Sequence, residues 1–208
     1  MHVAICGNIG CGKTTLAKML AKHYKWHAEL ESVDDNPYLQ DFYEDMKRWS
    51  FHLQIYFLNS RFNQIKRIRQ SSTTTIQDRT IYEDAYIFAN NLYKSEYLND
   101  RDYNSYLNLF HSMLEHVQAP DLMIYLKADI PKLVSQIEKR GRDYENAIRL
   151  DYLKNLNQHY TDWIGNYKEG KLLIIDVNNL DYVANPEDFS GIVNKIDVEL
   201  HGLFSKSS

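Results

Sequence analysis

Five short, largely apolar runs punctuate the chain: His2–Cys6, Trp26–Leu30, Thr74–Asp78, Leu122–Leu126 and Leu172–Asp176. Each has strand length, and such runs predict strands buried on both faces. Between them the rhythm changes to steps of three and four. Phe51, Ile55, Leu58, Phe62 and Ile65 place a helix within Tyr38–Gln70. Tyr106, Leu109, Phe110, Met113 and Leu114 place another within Tyr103–Val117. Phe189, Ile192, Val193, Ile196 and Leu200 mark a tail helix. Strands alternating with helices predict an α/β fold, a parallel sheet covered on both faces. Ligands of such sheets sit at the carboxyl ends of the strands. The residues just after each run are therefore the candidates for chemistry.

Composition narrows the picture. The 208 residues suit one domain, read as 1–204 with a disordered tail at 205–208. Hydrophobic residues at 44% and charged residues at 25% are ordinary for a folded chain. The net charge of -4 lacks the basic excess of a nucleic-acid binder, so no nucleic-acid partner is expected. No apolar run approaches the ~20 residues of a membrane span. The chain enters apparent structure at once after Met1, so no leader is expected. Cys6 and Cys11 are too few for a disulfide framework, and a reducing, cytoplasmic setting is expected. The 16 tyrosines read first as core and interface fillers.

The first run leads into Gly7-Asn8-Ile9-Gly10-Cys11-Gly12-Lys13-Thr14-Thr15, which contains GxxxxGK[ST] in full. Its glycines let backbone N–H groups wrap a phosphate chain, and the helix starting near Lys13 adds positive potential. Lys13 reaches the outer phosphates and Thr14 offers a hydroxyl to Mg²⁺. This pattern between a strand and a helix predicts binding of a nucleoside triphosphate. Two further matches are decoys. Asn194-Lys195-Ile196-Asp197 reads as the guanine-reading NKxD, and Asp162-Trp163-Ile164-Gly165 as DxxG of regulatory GTPases. Both fall inside predicted helices instead of after strands.

Other strand ends leave choices open. Glu29 and Glu31 are both placed to accept a proton from an attacking hydroxyl. Asp34-Asp35-Asn36-Pro37 reads as a turn and helix cap. Asp78-Arg79 could hold a metal shell and clamp a bound group, yet Leu172–Asp176 is the better apolar-strand-plus-Asp match. Arg140-Gly141-Arg142, inside a charged stretch, suits a mobile lid over 136–147. Gln54, Phe57 and Arg61 share one helix face, an amide beside a ring that could read a base edge. Cys11 reads first as a small packing residue, although its place near a helix N-terminus would favour a thiolate.

Together these segments resemble the deoxynucleoside kinase family, especially its bacterial deoxyadenosine and deoxyguanosine branch. The carriers are GNIGCGKTT at Gly7–Thr15, ESVDDNPY at Glu31–Tyr38, FYEDMKRWSFHLQIYFLNSR at Phe42–Arg61, DRTIYEDAYIFA at Asp78–Ala89 and KRGRDYE at Lys139–Glu145. The resemblance implies a three-layer α/β/α P-loop fold with a helical lid, and ATP-dependent 5′-phosphorylation of a deoxynucleoside, with deoxyadenosine favoured. It implies Glu31 as general base, Arg79 beside the acceptor hydroxyl, and Asp78 near Mg²⁺. It implies Tyr43 and Glu145 on the sugar 3′-hydroxyl, and Gln54, Phe57, Arg61 and Asp84 around the base. Arg140 and Arg142 become lid arginines, Val177-Asn178 the wall for the donor adenine, and the long helices a homodimer interface. Four positions depart from the family's patterns: Ser32 where many relatives have Pro, Asp78 for the Glu of animal members, Gln136 for their third lid arginine, and Phe57 where some relatives have a small residue.

Overall fold

The computed structural model describes residues 1–30, 36–142, 145 and 148–202. Five strands form one fully parallel sheet: β1 (His2–Cys6), β2 (His27–Glu29), β3 (Thr75–Asp78), β4 (Leu122–Lys127) and β5 (Lys171–Asp176). Their spatial order is β2-β3-β1-β4-β5. All five apolar runs are strands, within one residue or two of their predicted ends. Pairing of β1 with β3 sets Ile5 opposite Asp78, and pairing with β4 sets Cys6 opposite Tyr125.

Alternation along β1 divides the core. Ala4 and Cys6 point to one face, Val3 and Ile5 to the other. The first face meets α3 (Met46–Gln70), α6 (Asp100–Leu114) and α8 (Leu150–Gly165) through Leu53, Leu58, Phe110, Leu156 and Tyr160. The second meets α1 (Lys13–Tyr24), α7 (Ile130–Arg140) and α9 (Pro186–His201) through Leu16, Leu20, Leu133, Ile192 and Ile196. Each such fully enclosed leucine or isoleucine contributes about 1.5–3 kcal/mol of transfer free energy. The GTPase-like tetrapeptides lie within α8 and α9, as their helical periodicity predicts.

One helix differs from its sequence expectation. The stretch 38–70 is two helices, α2 (Leu39–Glu44) and α3. Asp45 leaves helical geometry at φ -142°, and its carboxylate accepts the Arg48 N–H at 3.1 Å, capping α3. Apolar spacing runs on across the junction because both helices bury the same side. It therefore conceals a break made by a cap. After β3 the chain forms α4 (Ile81–Glu83), a π-helical segment (Asp84–Ala89) and α5 (Asn90–Lys94). Such wide turns are often found at functional sites. No helix among the described residues is long and apolar enough to cross a membrane.

Candidate active site

The loop after β1 is shaped by its glycines. Gly12 caps α1 at φ 98°, and a methyl group there would overlap the Tyr182 hydroxyl, which donates to the Gly12 carbonyl at 3.1 Å. Lys13 opens α1, and its Nζ donates to the Asn8 carbonyl at 3.0 Å. The Asn8 side-chain carbonyl accepts the Ile9 N–H within the loop at 2.8 Å. The amide nitrogen of the same side chain donates to the Leu153 carbonyl and the Asn157 side chain, both at 3.1 Å, fastening the loop to α8. Cys11 is buried beneath the loop, and burial pushes its thiol up from the ordinary value, outweighing Lys13 and Arg79. Desolvation thus disfavours a thiolate there, and burial agrees with the packing reading.

Parallel pairing of β1 and β3 brings Asp78 against this loop. The Thr14 hydroxyl donates to Asp78 Oδ2, while Oδ1, also buried, has no hydrogen-bond partner among the described residues. Asp176, the rival by strand pattern, is exposed at the far edge strand, and its carboxylate accepts the Asn178 N–H at 3.0 Å. Strand order, which apolar runs do not encode, puts Asp78 and not Asp176 beside Thr14. For Mg²⁺ the donor set fits: two hard oxygen groups side by side, one with an unused buried lone pair.

A cavity of about 400 Å³ opens over the carboxyl ends of β1 and β3. Gly10, Gly12, Lys13, Thr14 and Thr15 line one end. Gln54 and Phe57 of α3, Arg79, Asp84 and Phe88 line the other. Gln136, Lys139, Arg140, Arg142 and Glu145 stand at its mouth. Cations outnumber carboxylates among these side chains, which favours a polyphosphate guest. Arg79 is held in the left-handed region at φ 71°, a conformation costing roughly 1–2 kcal/mol outside glycine, with its guanidinium 4.4 Å from the Phe88 ring centroid. Gln54 is buried, and its Oε1 has no hydrogen-bond partner among the described residues. Arg140 grips Glu145 with two hydrogen bonds, at 2.9 and 2.6 Å, and Arg142 lies 3.6 Å from the same carboxylate. Gly141 ends α7 in the left-handed conformation and sets the turn between the two arginines.

Several sequence candidates fall elsewhere. Arg61 does not line the cavity: it is fully buried behind it, 3.5 Å from Asp84 and donating to Gln64 at 3.2 Å. Tyr43 lies on α2 edge-on to Phe42, and it is Phe42 that reaches the cavity. Val177 is buried, and the Asn178 side chain accepts the Asp129 N–H at 2.8 Å, so neither lines the cavity. Glu29 is engaged by Arg67 through hydrogen bonds of 2.9 and 2.8 Å. Glu31, with Ser32, Val33, Asp34 and Asp35, lies outside the described residues. The residue before it, Leu30, is anchored to α3 through a hydrogen bond from Gln64 at 2.8 Å.

Sequence reasoning missed Glu83, whose carboxylate accepts from Gly7, Thr80 and Tyr160. The Thr80-x-x-Glu83 spacing is a capping-box signature and could have marked it. The apolar walls Leu39, Leu53 and Tyr152 were also missed, because nothing local separates them from ordinary core.

A phosphate-binding loop, an acidic residue beside its threonine and a cationic mouth over one cavity define a P-loop phosphotransferase. Comparison with known proteins narrows that class. The family model for deoxynucleoside kinase matches residues 3–201. The deoxyadenosine/deoxycytidine kinase of Bacillus subtilis is 37% identical over 201 residues, spanning 96% of this chain and 93% of that one. The deoxyadenosine kinase of Dictyostelium discoideum is 42% identical over 192 residues, spanning 92% and 77%. The solved deoxyadenosine kinase of M. mycoides with bound dATP superposes with a TM-score of 0.84 at 32% identity, covering 95% of this chain and 100% of that one. The chain belongs to the deoxynucleoside kinase family and is an enzyme of that kind. The fold and family expected from the motifs are both borne out.

Proposed function

We propose that this enzyme transfers the γ-phosphoryl of ATP to the 5′-hydroxyl of deoxyadenosine, in nucleotide salvage. One observation carries the reading: the phosphate loop and the Gln54–Arg79–Asp84 pocket open into the same cavity, so donor and acceptor can meet inside it. The unused Gln54 Oε1 suits a base edge that presents an amino group. The kinships to deoxyadenosine and deoxyadenosine/deoxycytidine kinases support adenine first and cytosine as the second base. Guanine remains within the family's range.

In this mechanism Lys13 and the loop N–H groups hold the donor phosphates. Glu31 accepts the 5′-hydroxyl proton, Arg79 orients that hydroxyl, and Glu145 holds the 3′-hydroxyl. Thr14 and Asp78 would hold Mg²⁺, which supplies charge neutralisation for the polyphosphate. Arg140 and Arg142 spread the charge of the moving phosphoryl, and a closed lid excludes the water that would otherwise hydrolyse ATP. Since Glu145 already binds both lid arginines, a sugar hydroxyl must share or displace that contact. A carboxylate base at the acceptor repels a phosphate dianion, which disfavours a nucleoside monophosphate as acceptor.

The chain pairs with a second copy through the long helices, where Phe51, Ile55 and Phe62 of α3 pack against the core yet stay only half-buried and Leu109 of α6 is exposed. Light scattering at micromolar concentration tests this. The free thiols of Cys6 and Cys11 suit a reducing, cytoplasmic setting. The deciding assay is an ATP-coupled panel of the four deoxynucleosides and their monophosphates. Deoxyadenosine should turn over fastest and monophosphates should not react. Preference for a monophosphate would overturn the acceptor assignment.

A further inference from the structure

Glu83 has no part in the chemistry described so far, yet its carboxylate is fully buried and accepts four hydrogen bonds. Oε2 takes the Thr80 N–H at 2.7 Å, one half of the capping box of α4, and also the Thr80 hydroxyl at 3.3 Å. Oε1 takes the Tyr160 hydroxyl at 2.7 Å and the Gly7 N–H at 3.2 Å. Capping needs only the first oxygen. The second joins the cap to the opening residue of the phosphate loop and to α8. Thr80 directly follows Arg79, whose own N–H donates to the Ile5 carbonyl at 2.9 Å. The left-handed Arg79 is thus pinned on both sides, once to β1 and once to Glu83.

We propose that Glu83 is a positioning residue for phosphoryl transfer. One carboxylate spans the phosphate loop and the Arg79 turn, and so sets the spacing between the donor phosphate and the acceptor hydroxyl before either substrate binds. This rests on the assignment of Arg79 to the acceptor side given under Proposed function. A carboxylate is the group the site requires, because all four groups around it, on three residues, present donors. An amide of the same size would turn its NH₂ toward donors on one side and break one half of the link.

Glu83→Gln and Tyr160→Phe test this by steady-state kinetics, with kcat expressed per folded molecule from circular dichroism. Tyr160→Phe removes one donor to Oε1 and leaves the capping box whole. Glu83→Gln should lower kcat about tenfold or more while the KM values for ATP and deoxynucleoside stay within about threefold, since small misplacement acts on the reacting geometry. Tyr160→Phe should show the same split at about threefold, and it decides the matter alone if Glu83→Gln fails to fold. A purely structural glutamate would lower the melting temperature and leave kcat per folded molecule unchanged. The proposal is overturned if kcat stays within about twofold of wild type, or if the loss lies in KM. Arg79→Ala is run alongside. If it removes turnover while the other two variants do not, the link through Glu83 alone is wrong. If it too keeps full kcat, the acceptor assignment itself falls.

Discussion

Arg67 holds Glu29 in a two-point grip, with Nε and Nη2 donating to the two carboxylate oxygens at 2.9 and 2.8 Å. The pairing ties β2 to α3 and occupies one of the two glutamates that strand position made candidates for proton transfer. Glu29→Gln should therefore keep kcat near wild type and lose stability only. Glu31→Gln should keep ATP binding and lose about 100-fold or more in kcat, the effect of removing a general base. Normal turnover by Glu31→Gln in single-turnover kinetics would refute the base assignment.

The same pair predicts an acid-sensitive increment of stability. The Arg67 hydrogen bonds and charge hold the Glu29 carboxyl below its ordinary value, against the opposing effect of burial. A depressed carboxyl stabilises the fold above its unfolded value of about 4.3 and loses that contribution as pH falls through its folded value. Arg67 is largely solvent-exposed, so the increment is at most about 1 kcal/mol, or about 2–4 °C in Tm. The Tm difference between wild type and Arg67→Gln should be full at pH 7 and vanish near pH 3. A difference that does not change with pH would show that the pair contributes nothing through charge.

Asp78 leaves a buried oxygen unused beside the Thr14 hydroxyl. Asp78→Asn removes the charge that a cation would need and keeps the shape. The Mg²⁺ concentration for half-maximal activity should rise about tenfold or more, since a charged oxygen ligand is lost. Lys13→Ala should remove nearly all turnover. Titration of activity against Mg²⁺ checks the first, and residual activity above background in the second would detach the loop from catalysis.

Gly12 meets two constraints at once, a left-handed backbone and the Tyr182 hydroxyl in the space a β-carbon would take. Gly12→Ala should destabilise the chain by at least the ~1–2 kcal/mol of that backbone geometry and weaken ATP binding. Adding Tyr182→Phe removes the overlapping oxygen but not the backbone cost. The double variant should recover part of the lost Tm and never all of it. Urea denaturation of the three variants against wild type measures both contributions.

Local sequence determined the five strands, the phosphate loop and most helices, because apolar period and glycine placement are properties of neighbouring residues. It could not separate Asp78 from Asp176, since both follow apolar strands. Only the order β2-β3-β1-β4-β5 puts one beside Thr14 and leaves the other at an exposed edge. Nor could spacing reveal that Arg61 lies behind the cavity or that Asp45 splits the long helix. Glu83 shows the limit most clearly. Its capping box is written within four residues, but its second oxygen meets Gly7 and Tyr160, 76 and 77 positions away. Such contacts exist only once strands pair and helices pack, because a hydrogen bond depends on distance in space and carries no trace of itself along the chain.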